Sequence, residues 1–248
     1  MATRIRSAAS ASRCRGGLAA AGRRLVSTRS LREEPYYAQV REVISDGGRQ
    51  FNLGQTWSID EHLRAFAAFA SLLAPHLVAA RGRSIVDLGA GSGALGLLCA
   101  FAYPDVMFTL VDCRERSCDF MWAAVHKLSL TGRVRVVHER AEGMGRAPAH
   151  RHAYDGVLSR RFGPPARTAE SAAPLLKRHG FLLVSDPRPD TGETSDVRWP
   201  AAGLSRVGLV LESTIAEPAY ASVLRAVEPC GDAYPRSRKL KGGSKALY

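Results

Sequence analysis

Ser84-Ile-Val-Asp-Leu-Gly-Ala-Gly-Ser-Gly-Ala-Leu-Gly96 is the stretch on which the reading of this chain turns. Residues 84–88 (SIVDL) form a short apolar run of strand character, and residues 94–103 continue as a helix. Asp87-Leu-Gly-Ala-Gly-Ser-Gly93 joins the two. Gly89, Gly91 and Gly93 let the backbone approach a ligand closely, and the first amides of the following helix have no intrahelical acceptor. Gly91-Ser-Gly93-Ala-Leu-Gly96 also fits the GxGxxG pattern of dinucleotide sites. Taken alone, that pattern is a weak signal, because a tight strand-to-helix turn without a ligand also shows it.

Outward from this unit the same alternation repeats. Strands are predicted at 107–111 (MFTLV), 134–138 (VRVVH), 155–158 (DGVL) and 181–185 (FLLVS), with helices at 115–128 and 168–176. Two further strand-like runs follow at 208–211 and 221–226. Strands that read as uninterrupted apolar runs between helices indicate a parallel sheet covered on both faces. The expected fold is α/β: a Rossmann-like, doubly wound, mostly parallel seven-stranded sheet with an N-terminal helical appendage. In that appendage Tyr37, Val40 and Ile44 recur at helical spacing, and Gly47–Gly48 should end their helix. Ser58-Ile-Asp-Glu61 reads as a capping box. The helix it opens carries Leu63, Phe66, Phe69 and Leu72–Leu73 on one face, and Pro75 should end or kink it. Residues 186–200, rich in Pro, Gly and Asp, read as a loop. The expected organisation is a basic, disordered extension (1–32), the helical appendage (33–80), a ligand-binding domain (81–233) and a basic tail (234–248).

The charge is uneven. The 248 residues carry a formal net charge of +12, but residues 1–32 contain eight arginines and no acid. The tail after Asp232 adds Arg236, Arg238, Lys239, Lys241 and Lys245, again with no acid. The stretch between is close to neutral, so the ends rather than the body suit a polyanionic partner. The N-terminal stretch has two open readings. It is either a basic extension on a cytoplasmic protein or, being rich in Arg, Ser and Ala, a transit peptide to the mitochondrial matrix. A 46% hydrophobic composition excludes wholesale disorder. No run reaches the roughly 18–20 apolar residues of a membrane span. The five cysteines show no CxxC spacing, which argues against a disulfide scaffold and points to a reducing compartment. His150-Arg-His152 is too sparse for a metal centre, and none is expected.

Two further acids follow strands. Asp112 ends the second strand about 20 residues beyond the glycines, where a carboxylate can accept ribose hydroxyls; it could equally cap the next helix. Ala141 and Glu142 follow the third strand and reach the same carboxyl edge, where an adenine would lie. Asp87, two residues before the first glycine, would repel a pyrophosphate and attract a cationic amino-acid end. This favours S-adenosylmethionine (SAM) over nicotinamide, and Asp-x-Gly-x-Gly-x-Gly with a later strand-end acid is similar to motifs I and II of class I SAM-dependent methyltransferases.

From about residue 84 to the C-terminus the chain resembles the bacterial small-subunit (16S) rRNA guanine-N7 methyltransferase family, RsmG or GidB. The resemblance is carried by IVDLGAGSGALGLLCA, FTLVDCRERSCDFM, VRVVHERAE, YDGVLSRRF and APLLKRHGFLLV. It implies SAM contacts at Gly89, Ala94, Ala141, Glu142 and Arg160, and a ribosomal RNA or small-subunit partner. Four places differ. The family's Phe-Pro-Gly after the glycines is Ala94-Leu-Gly96. The family's N-terminal His-x-x-Asp-Ser run has only Glu61-His62-Leu-Arg64 near its position. Arg161 replaces a small residue, and the tail lacks the family's prolines. Arg161, Arg236, Arg238 and Lys245 are the candidate RNA contacts.

Guanine N7 carries an exposed lone pair and no proton, so no general base is assigned. His62, His126 and His138 read as surface or core residues. A monomeric enzyme without membrane association is expected. The competing readings are a methyltransferase acting on another RNA or a small molecule, a nicotinamide-dependent oxidoreductase, and a non-catalytic ribosome-binding relative.

Overall fold

The structure is a computed structural model, and it describes residues 28–50, 58–77, 83–187, 195–236 and 247. The basic N-terminal stretch up to residue 27 lies outside the described residues, as do tail residues Arg238, Lys239, Lys241 and Lys245.

Seven strands form one sheet: β1 (Ser84–Leu88), β2 (Met107–Asp112), β3 (Val134–His138), β4 (Tyr154–Ser159), β5 (Leu176–Ser185), β6 (Leu209–Ile215) and β7 (Ala221–Ala226). Their order is β3-β2-β1-β4-β5-β7-β6. The first five are parallel, and β7 runs antiparallel between β5 and β6. This is the doubly wound, mostly parallel sheet expected from the sequence. Ile85, Val86 and Leu88 of β1 are fully buried because helices cover both faces, which is why their run shows no polar alternation. From β1 the strand order proceeds to β2 and β3 on one side and to β4 and β5 on the other. That reversal opens a crevice at the carboxyl ends of the strands.

One face is covered by α2 (Pro35–Gln50), α3 (Ile59–Ser71), α4 (Ala94–Ala102) and α5 (Glu115–Lys127). Val40, Ile44, Leu63, Phe69 and Leu73 share one apolar core with Leu97, Met121 and Leu110. A shorter α1 (Thr28–Glu33) precedes α2 and adds Leu31 to that core. The other face is covered by α6 (Ala141–Met144), α7 (Pro165–Ala172), α8 (Ser195–Arg198) and α9 (Ala201–Ser205), where Trp199, Leu204 and the near-terminal Leu247 are buried. No described helix is long and apolar enough to cross a membrane.

Ser58 caps α3 as expected. Its hydroxyl accepts the Glu61 amide while the Glu61 carboxylate accepts the Ser58 amide, an arrangement contributing about 1 kcal/mol. Helix α3 closes at Ser71, and Pro75 sits in a 3-10 turn, Ala74–Leu77.

Other boundaries need correction. Gly47–Gly48 do not end α2, which runs on to Gln50. Gly47 is the point where α2 meets α5: a Cβ there would lie 1.8 Å from Cε2 of the buried Phe120 ring. Glycine is present for close approach rather than for a stop. In an exposed helix Gly→Ala stabilises by about 0.8–1 kcal/mol; Gly47→Ala is instead expected to destabilise by about 1–3 kcal/mol through overpacking. Urea denaturation reads the sign, and a gain in stability would remove the contact.

The helix foreseen over 168–176 lies earlier, from Pro165 to Ala172. It breaks at Pro174 in a 3-10 turn, and β5 starts at Leu176. Residues 186–200 are not simply a loop. They include α8 and the buried Trp199, whose indole donates to Ser222 Oγ at 2.9 Å. The β6 strand extends to Ile215 through its antiparallel pairing with β7.

Candidate active site

The β1–α4 turn is built as its glycines suggest. Gly89, Gly91 and Gly93 have φ of +74°, +61° and +71°, a region costly for any residue with a Cβ. A Cβ on Gly89 would meet the Phe162 ring at 2.7 Å, whereas one on Gly91 would make ordinary contacts with Arg114 Nη2 at 3.5 Å and the Gly89 carbonyl oxygen at 4.0 Å. Gly91 is thus held to glycine by its positive φ rather than by crowding, and it lines the smaller of the cavities described next. Gly93 is the N-cap of α4, and a Cβ on it would meet Met121 at 2.9 Å.

Two cavities open at the carboxyl edge. The larger, about 300 Å³, is walled by Asp112, Cys113, Ala141, Glu142, Phe162 and Arg167 among others. The smaller, about 180 Å³, is walled by His62, Phe66, Asp87, Gly91, Ser92 and Arg160 among others. Gly89, Arg114 and Arg161 line both, so the two are halves of one cleft divided at the glycine loop.

Asp112 ends β2 and is 5% exposed. One carboxylate oxygen accepts the Gly91 amide at 2.9 Å; the other accepts the Arg114 amide at 3.0 Å and Nε at 3.1 Å. Burial opposes its ionisation, but the Arg114 side chain, the Arg114 amide and the Gly91 amide outweigh it. The carboxyl is held below the usual aspartate range. Asp112 thus binds the glycine loop to β2 and faces the larger cavity, while the N-cap of α5 is Arg114 rather than Asp112. Glu142, on the first turn of α6, is 6% exposed and has Arg140 and Arg167 within 3.6 and 3.8 Å.

Asp87 is 3% exposed, and Oδ2 accepts the Gly96 amide at 3.1 Å. Burial raises its carboxyl to about 7. The Gly96 amide and Arg160 pull the value down, while Asp112 pushes it up. Arg160, at the end of β4, lays its guanidinium 4.5 Å from the centroid of the Phe66 ring. Burial and the neighbouring Arg161 depress it to about 10, against the pull of Asp87. Arg161 has φ of +58°, and this left-handed turn accompanies two consecutive arginines lining the same cavity.

Of the candidate residues, Asp87, Gly89, Gly91, Asp112, Ala141, Glu142, Arg160 and Arg161 converge on this cleft. Gly93 and Ala94 line neither half, and the Ala94 side chain is in the core. Arg236 is not a free tail cation. Its amide, Nε and Nη2 all donate to Glu170 of α7, which is 2% exposed. A carboxylate that deeply buried requires a cation, and Arg236 supplies it. Arg238 and Lys245 lie outside the described residues.

His62 also needs correction: it is a cleft residue rather than plain surface or core. It and Phe66 come from α3, and Arg114, Phe162 and Arg167 complete the walls. Only Arg114 carried a local signal, lying two residues past the strand-end acid. Among the described residues no group of acids, histidines and cysteines could hold a metal ion.

Comparison with known proteins agrees with this fold. A methyltransferase from Geobacter sulfurreducens superposes with a TM-score of 0.52 at 13% identity, covering 77% of this chain and 89% of that one; the likeness shows the fold alone. The ribosomal RNA small subunit methyltransferase G of Trichormus variabilis is 32% identical over 160 residues, 61% of this chain and 64% of that protein. The protein of the same name from Prochlorococcus marinus is 33% identical over 159 residues, 62% and 64% of the two chains. The chain thus spans just under two thirds of the length of these relatives. The model of the GidB family, described as rRNA small subunit methyltransferase G, matches residues 38–189. The chain belongs to the GidB family.

Proposed function

We propose that the chain is a SAM-dependent methyltransferase that modifies a guanine N7 in small-subunit ribosomal RNA. The observation that carries this reading is the divided cleft, with Asp112 and Glu142 in its larger half and Asp87 and Arg160 in its smaller half. The residues fit such a cofactor. Gly91, at a positive φ, brings bare backbone to the wall of the smaller half, and buried carboxylates face both halves.

When bound, SAM supplies an electrophilic methyl group on a sulfonium. Asp112 and Glu142 are placed to hold the ribose and adenine. The Gly89–Gly93 backbone admits the ligand closely, and Asp87 attracts the ammonium of its amino-acid end. Gly93 and Ala94 act through the shape of the α4 N-terminus. Arg160 stands in the smaller half, beside the acceptor. The acceptor N7 needs no deprotonation, so these residues have to orient the reactants and exclude water. Holding two reactants in line can lower a barrier by about 7–11 kcal/mol. Arg161 at the cleft mouth and Arg238 and Lys245 of the tail meet RNA phosphates in this proposal.

The test is transfer of labelled methyl groups from SAM to unmodified small subunits or their RNA, followed by locating the modified base. Labelled guanine N7 supports the reading. SAM binding without transfer would favour a non-catalytic relative, and binding of a nicotinamide dinucleotide in place of SAM would favour an oxidoreductase.

Asp87 adds a pH dependence. With its carboxyl raised to about 7, a bound cation that favours the ionised form must displace a proton. SAM affinity should therefore fall as pH drops below about 7, approaching tenfold per unit if ionisation is obligatory. Calorimetry at pH 6 in buffers of different ionisation enthalpy should show proton release in the wild type and none from this site in Asp87→Asn. Equal affinity at pH 6 and pH 8 would remove Asp87 from the ammonium site. The stability effect has its own sign. The folded state retains this proton between the unfolded aspartate value and about 7, so Asp87 makes folding less favourable as pH rises through that window.

A further inference from the structure

The smaller half of the cleft holds groups that cofactor binding does not require. His62, on the second turn of α3, is half-buried and faces the same cavity as Arg160 and Arg161. Its imidazole stands 5.0 Å from the Phe66 ring, and the Arg160 guanidinium covers that ring at 4.5 Å. One aromatic platform therefore carries a ring-nitrogen acceptor and a guanidinium donor. Arg160 makes no ion pair among the described residues, and a guanidinium has five N–H donors, more than the end of one ligand uses.

The bases differ in the pattern this pair would meet. Guanine presents O6 as an acceptor beside N1–H as a donor. Adenine presents the reverse, an amino donor beside the N1 acceptor. An arginine that gripped guanine bidentately through O6 and N7 would occupy the lone pair that has to react. A donor to O6 alone, with a separate acceptor for N1–H, reads guanine and leaves N7 open.

Resting on the proposed N7 methylation, we propose that His62 is the specificity residue for the acceptor base, accepting guanine N1–H while Arg160 donates to O6. The proposal requires a neutral imidazole. Burial lowers the proton affinity of His62, and Arg160 and Arg161 lower it further. Asp87 and Arg114 line the same cavity. On α3 itself, Asp60 is bound to Arg41 and Glu61 to Ser58, and Arg64 is exposed. Below its depressed pKa the imidazolium loses its acceptor and adds a third positive charge beside two arginines.

The experiment uses the full chain at saturating SAM and small-subunit RNA carrying guanine, inosine or adenine at the methylated position. Wild type should use inosine nearly as well as guanine, since inosine keeps O6 and N1–H, and should reject adenine. His62→Leu should lower kcat/KM on guanine and inosine by about ten- to a hundredfold, the range for a buried donor left without its partner. Its SAM affinity should be unchanged and its preference over adenine reduced. His62→Gln, which keeps an acceptor without a titrating group, should recover most of the activity and lose the low-pH limb seen in the wild type. An unchanged guanine-to-adenine ratio in a His62→Leu protein that binds SAM would overturn the inference while the proposed function stands. A wild type that binds SAM and methylates no guanine would overturn both.

Discussion

Asp112→Ala is expected to weaken SAM binding by at least 1.5–3 kcal/mol, roughly ten- to over a hundredfold, the range for hydrogen bonds to a charged group. The structure gives reason to expect the upper end. The carboxylate accepts the Gly91 amide as well as the Arg114 amide and side chain, so its loss frees the loop that shapes the cleft and removes an acceptor from the cavity wall. Asp112→Asn keeps the shape and one acceptor oxygen but not the charge, and should lie between alanine and wild type. Calorimetric titration with SAM checks both variants, with circular dichroism confirming the fold. Wild-type affinity in a folded Asp112→Ala protein would remove this residue from the ligand site.

Arg236→Ala should cost about 3–5 kcal/mol of folding stability, the usual penalty for leaving a buried charge without its partner. Glu170 is 2% exposed, and the Arg236 side chain reaches it with two donors at 3.1 and 2.6 Å. The Arg236 amide also donates to Glu170 and would survive the mutation, so the lower half of that range is the better expectation. Replacing both partners, as in Arg236→Met with Glu170→Leu, should recover much of the loss, because a matched apolar pair leaves no buried charge. Urea unfolding of the two single variants and the double variant reads the coupling. A loss from Arg236→Ala below about 0.5 kcal/mol, typical of a neutral surface substitution, would show that the pair carries no weight. The same contact bears on the tail. Arg206 Nη1 donates to the buried Leu247 carbonyl at 2.9 Å, so truncation from residue 236 onward would disturb the body along with any RNA contact. Neutralising Arg238 and Lys245 singly is the cleaner probe of RNA binding.

The sheet and most of the cleft were open to reading from the chain itself. Period and apolar runs located all seven strands, and in a parallel sheet every strand delivers its carboxyl end to one edge. Asp87, Asp112, Glu142 and Arg160 each sit at or just beyond a strand end, so knowing the strands was enough to place them together. Local pattern could not distinguish a glycine that stops a helix from one that admits a neighbouring ring. Gly47 belongs to the second kind only because Phe120, on another helix, lies against it.

The residues that tertiary structure alone placed are those whose partners are remote in the chain. His62 and Phe66 lie more than 20 residues before the glycine loop, on a helix whose period marks its apolar face but not what that face meets. They reach the cleft because α3 packs on α4 and lays its polar edge beside the end of β4. Arg236 and Glu170 are 66 residues apart, and nothing in either neighbourhood signals the other. Periodicity and strand-end position are properties of a short stretch of chain, so the sequence settled the sheet and the acids along its carboxyl edge. Which base or acid a given arginine or histidine faces depends on how whole elements stack, and only the folded chain decides it.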